Sequence, residues 1–136
     1  MKKLLFITLA FASFQTFAFT SLKLKEEVVL KSYGGEAKLE AITYQQRGNI
    51  FCVASMSSNN NAETLSIPVG TSFEVTSVDQ GGCKRDPVHE CRLEVNGRNQ
   101  DKNIDINLIC ASTGFFASEV TLSRAQLATS HILSIK

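Results

Sequence analysis

The sequence predicts an all-β domain, a small antiparallel β-sandwich or barrel held by two disulfides and containing at most one short helix. Three observations carry that expectation. Apolar and polar residues alternate with period two in several short runs, most clearly around Ile50, Phe73, Leu93 and Ile104. Turn signals, among them Gly34-Gly35, Arg47-Gly48-Asn49 and Asn96-Gly97, separate these runs as they do in all-β chains. Four cysteines, an even number, follow a leader that directs the chain to an oxidising compartment.

The leader is the first segment. Lys2 and Lys3 form a positive n-region, and Leu4–Phe14 is an apolar core shorter than the roughly 20 residues a membrane span needs. Thr16 and Ala18 put small residues at the expected positions before a cleavage site after Ala18. The expectation is a signal peptide over residues 1–18 and a single secreted β domain over 19–136, periplasmic or extracellular, with no transmembrane segment after leader removal. Cleavage removes two of the 14 basic residues and none of the 13 acidic ones, leaving a formal net charge of −1. A near-neutral chain lacks the basic face that a general nucleic-acid or anionic-membrane binder needs, so neither is expected from charge. With no tryptophan and two tyrosines, stacking platforms are scarce, Phe115-Phe116 being the exception.

Taken in order, Leu22 to Leu30 reads as a first strand or a short arm. Glu36 to Gln46 begins with helix formers, but Ile42 and Tyr44 alternate, which favours a strand. Ile50 to Ser57 places Ile50, Cys52, Ala54 and Met56 on one face and Phe51 and Val53 on the other, as for a central strand covered on both sides. Leu65, Ile67 and Val69 alternate around Pro68, which cannot donate to a ladder and so assigns this strand to an edge.

Phe73, Val75 and Ser77 alternate towards Cys83, and Cys91, Leu93 and Val95 alternate away from it. Asn96 to Asn103 reads as a polar loop opened by the turn dipeptide Asn96-Gly97. Ile104, Ile106, Leu108 and Cys110 alternate against Asp105 and Asn107, giving a strand with one wet face. Asp101, Asn103, Asp105 and Asn107 also have the odd-numbered spacing of a calcium loop. Ile106 stands where that loop needs glycine and Ser112 where it needs glutamate, and strand alternation explains the same spacing. Glu119 to Leu122 reads as a further strand, Ser123 to Gln126 as a capping box opening a helical turn over Arg124 to Thr129, and His131 to Ile135 as a terminal strand. The total is about six to eight short strands.

Cys83 and Cys91 flank a hairpin tip, which predicts the bridge Cys83–Cys91. Cys52 and Cys110 lie in similar apolar strands, Phe51–Ser55 and Ile109–Ser112, and are assigned to each other, one of three connectivities. Zinc is the competing use, since His89 lies between Cys83 and Cys91. The spacing is not that of a zinc knuckle and no fourth ligand is apparent, so neither a metal nor another cofactor is expected.

The ring CKRDPVHEC presents Lys84, Arg85, Asp86, Pro87 and His89 as a candidate contact loop. Closing a short ring removes freedom from the unbound loop, so less is lost on binding. A nine-residue disulfide ring with a basic residue near its start resembles the reactive loop of Bowman–Birk trypsin inhibitors. The resemblance, confined to Cys83–Cys91, implies that Arg85 fills a protease specificity pocket and that Asp86 follows the uncleaved bond. This chain has Asp86 where that family has serine, and its proline is one place earlier, at Pro87.

Neither His89 nor His131 is near a nucleophile elbow, and bridged cysteines offer no thiolate. The function expected is therefore non-catalytic: an exported binding domain or a structural part of an envelope, its partner a protein or other envelope component. The alternatives are a serine-protease inhibitor acting through the loop, and a small hydrolase with an unrecognised site.

Overall fold

The strand at Leu39–Arg47 and the strand at Ile50–Ser58 pair along their full lengths around a two-residue turn, Gly48-Asn49, in which Gly48 takes φ 61°. This hairpin is the pattern for the molecule, a computed structural model that describes residues 21–32, 39–59, 62–85 and 89–136. The leader, Gly34-Gly35, Asp86 and Pro87 lie outside those residues. The described chain forms β1 (Ser21–Leu24), β2 (Val28–Ser32), β3 (Leu39–Arg47), β4 (Ile50–Ser58), β5 (Thr64–Ile67), β6 (Ser72–Lys84), β7 (Glu90–Asn99), β8 (Ile104–Thr113), α1 (Leu122–Thr129) and β9 (Leu133–Ile135).

The nine strands make one sheet in the order β5-β2-β3-β4-β8-β7-β6-β1-β9, all pairs antiparallel. The sheet curls into a half-barrel rather than folding into a two-sheet sandwich. The β1–β2 connection shows how far it curls. These strands lie towards opposite flanks of the sheet, yet only Lys25, Glu26 and Glu27 join them. Leu24 to Val28 covers at most about 14 Å of extended chain, so the flanks meet at this corner. The expected single strand over Leu22–Leu30 is thus two strands serving both flanks.

One side chain in two points inward and builds the core: Leu22, Leu24, Leu30, Leu39, Met56, Phe73, Leu93, Val95, Ile104, Ile106 and Leu108 are all at most 1% exposed. β4 is internal to the sheet, as its composition predicts, but its outer face is not covered: Phe51 is 43% exposed. β5 is an edge strand, ending before Pro68 as expected. α1 packs against β3, β4 and β9, burying the small side chains Ala125, Ala128 and Thr129.

Three local expectations are corrected. Asn96 and Gly97 are within β7, and the β7–β8 turn falls at residues 100–103, where Asn103 takes φ 53°. Gly97 is there because neighbouring atoms occupy the space a side chain would need: an added Cβ would meet Ile106 Cγ2 at 3.0 Å and Glu74 O at 3.1 Å. Register shifts in β6 between Val75 and Ser77, and again between Asp79 and Gly82, invert its alternation, so Val78 rather than Ser77 continues the inward series. Finally, no strand occupies residues 119–122. The helix begins at Leu122, capped by Thr121, whose Oγ1 accepts from Arg124 N at 3.3 Å, so Ser123 is inside the helix rather than at its cap.

Candidate functional site

Both predicted bridges are present. Cys83 and Cys91 face each other across β6–β7 with Cα atoms 4.0 Å apart, and Cys52 and Cys110 do so across β4–β8 at 4.1 Å. Such short separations belong to the narrow, non-hydrogen-bonded pairs of an antiparallel ladder. The second bridge is fully buried; in the first, Cys83 is exposed and Cys91 buried. Sγ of Cys83, Sγ of Cys91 and a ring nitrogen of His89 lie within 4.8 Å of one another, but the sulfurs are bonded to each other and present no thiolate pair to a metal.

Lys84 is the last β6 residue of the ladder, opposite Glu90, and Arg85 follows it at the tip; both are exposed. His89 is half-buried. Its carbonyl accepts from Gly114 N at 3.0 Å, which fastens the β8–α1 connection to the hairpin tip. Gly114 takes φ 95°, a conformation open to glycine, and begins a tight turn closed by Ala117 N donating to Gly114 O at 3.1 Å. The two corners of that turn are Phe115 and Phe116, 91% and 84% exposed, their rings edge to face at 5.3 Å.

A polar cluster holds this turn from behind. Asn49 Nδ2 donates to Phe116 O at 3.4 Å and to Ser118 Oγ at 3.1 Å. Arg124 donates to Asn49 Oδ1 at 2.9 Å, Ser118 Oγ at 2.8 Å and Glu119 O at 2.6 Å. Ser112, fully buried at the end of β8, accepts from Ser118 N at 3.2 Å. The β3–β4 turn, the hairpin tip and the start of α1 are thereby joined into one end of the half-barrel. Arg47, exposed at the end of β3, belongs to the same end. Among the described residues, ion pairs join Arg92 to Glu94 and Arg98 to Asp105, and none involves Arg47, Lys84 or Arg85.

The outer wall carries a second feature, a groove of about 350 Å³ between Ile42, Ser55, Thr76, Asn96, Asp105 and Asn107. Three of its polar side chains, Asn96, Asp105 and Asn107, are bonded to other protein groups. Asn107 Nδ2 donates to Glu94 Oε1 at 2.8 Å and Asn96 Oδ1 at 2.7 Å, and Asn96 Nδ2 to Ser77 Oγ at 3.0 Å. Arg98 donates to Asp105 Oδ1 at 2.8 Å and to Asn103 Oδ1. Asn103, Asp105 and Asn107, three of the four residues with calcium-loop spacing, are therefore engaged by protein groups of β7. Neither histidine side chain is bonded to a hydroxyl among the described residues, so the geometry there supplies no nucleophile–base pair.

Of the sequence-predicted contact residues, Lys84, Arg85 and His89 are together at one end, while Asp86 and Pro87 lie outside the described residues. Phe115-Phe116, legible in sequence only as a stacking candidate, is brought beside them by the Gly114–His89 bond. Comparison with known proteins finds no matching family, no matching curated protein and no matching solved structure.

Proposed function

We propose that the protein is a non-catalytic exported domain, a binding or structural part of the cell envelope, that acts by contact through the end of the half-barrel bearing the Cys83–Cys91 ring. The observation that carries this reading is convergence. The ring tip with Lys84 and Arg85 and the turn with Phe115 and Phe116 share one end, tied by the Gly114 N to His89 O bond. Exposed aromatics beside cations are the composition of a contact surface rather than of a solvated loop. The anatomy of residues 1–18 supports export, and two disulfides suit an oxidising compartment. No helix of the described residues is long and apolar enough to cross a membrane.

Site-specific photo-crosslinking in the native cell tests the reading. A crosslinker at Arg85 or Phe115 is expected to give adducts, and one at Lys102, in the turn at the opposite end of β7, is not. Adducts from Lys102 alone would refute it. The exposure of Arg85 beside a closed ring favours one other reading, serine-protease inhibition. That reading requires stoichiometric inhibition of a trypsin-like protease, abolished by Arg85→Ala.

A further inference from the structure

We propose that the partner of this end is an anionic lipid surface, into which the Phe115–Phe116 turn dips both rings; the inference rests on the reading of this end as the contact end. Tight-turn corners normally hold glycine, proline, asparagine, aspartate or serine, whose backbone preferences and local side-chain hydrogen bonds suit the turn. Here both corners are phenylalanine and nearly fully exposed. Their backbone is held by Gly114 N to His89 O, Ala117 N to Gly114 O and Asn49 Nδ2 to Phe116 O, so the rings are presented by a fixed support.

The rings protrude. A protein partner would have to supply a matching apolar pocket, whereas a bilayer interface accepts protruding apolar side chains without shape complementarity. The surroundings fit that environment. Tyr44 and Phe51 pair at 5.8 Å on the adjoining outer wall, Phe51 lying opposite Ala111, two residues before Thr113 at the end of β8. Tyrosine and its neighbours suit the headgroup level. Arg47, Lys84 and Arg85 flank the turn: Arg47 precedes the Gly48-Asn49 turn that holds Phe116, and Lys84 pairs with Glu90, itself the partner of Thr113. Their charge complements lipid phosphates. Glu90 and Glu119 share this end, so the electrostatic attraction is modest and the rings supply most of the affinity.

The chain contains no tryptophan, so Phe115→Trp in the exported protein is a clean reporter. Its emission is expected to shift to the blue with vesicles of phosphatidylcholine and phosphatidylglycerol, and less with phosphatidylcholine alone. Cosedimentation should fall at least about tenfold in the Phe115→Ser, Phe116→Ser double variant, since each ring forfeits its apolar burial. Lys84→Glu with Arg85→Glu should remove the preference for anionic vesicles. Thermal melts of each variant check that the fold is retained. Unshifted emission with anionic vesicles, or partitioning unchanged in the double serine variant, overturns the proposal. If vesicles do not bind while a crosslinker at Phe115 captures a protein in the native cell, the lipid assignment falls and the contact end stands. If both fail, both fall.

Discussion

At Gly97 the fold leaves no room for a methyl group. The Cβ of an alanine would sit 3.0 Å from Ile106 Cγ2, 3.1 Å from Glu74 O and 3.3 Å from Phe73 Cβ, and two of these neighbours belong to the fully buried core. Gly97→Ala is therefore expected to destabilise the domain by about 1–3 kcal/mol through overpacking, read as a lower midpoint in denaturant unfolding with the slope unchanged. Arg124 acts by bonding rather than by volume. Its guanidinium ties Asn49, Ser118 and Glu119 together, so Arg124→Ala frees the β3–β4 turn from the helix start. Because Arg124 is only half-buried, the expected loss is about 1–2 kcal/mol, and thermal unfolding would report it.

Among the elements, the two bridged strand pairs differ in what their disulfides constrain. Cys83–Cys91 closes a ring with a sequence separation of 8, and Cys52–Cys110 one of 58. On the chain-entropy account these contribute about 2.6 and about 4 kcal/mol, and the longer bridge also sits wholly in the core. Replacing Cys83 and Cys91 together with serine is expected to leave a folded, less stable protein. Replacing Cys52 and Cys110 together is expected to prevent most folding, because two polar groups would then lie buried between β4 and β8. Circular dichroism and unfolding midpoints of the two variants would separate the cases, and equal midpoints would contradict the ranking.

For the molecule as a whole, antiparallel pairing between distant segments dominates: β1 pairs with β6 and β9, β4 with β8, β2 with β5. Loop closure must precede most of these contacts, so refolding of the disulfide-intact protein is expected in milliseconds to seconds, measurable by stopped flow, and not in microseconds. The contact end belongs to this scale too, since it is assembled from three connections. Arg85→Ala is expected to weaken partner binding while leaving the melting temperature nearly unchanged, because Arg85 is exposed and makes no ion pair with a described residue.

Period-two alternation located most of the strands, nine among the described residues against roughly six to eight expected, and the edge position of β5 followed from Pro68. Both bridges were legible because one cysteine pair flanks a hairpin tip and the other lies in two equally apolar strands. Alternation, however, is blind to events that change phase or partner. The bulges in β6 inverted its faces beyond Val75, and Asn96-Gly97, a turn signal by composition, became a strand interior because Gly97 meets Phe73 and Ile106 there. The division of Leu22–Leu30 between two flanks depends on curl, a property of nine strands together that no local window contains. The contact end was half legible. Lys84, Arg85 and His89 announced themselves through the cysteines, but Phe115 and Phe116 joined them through one backbone bond between residues 25 positions apart, Gly114 N to His89 O. A backbone hydrogen bond leaves no mark on residue type, and only the tertiary structure decides it.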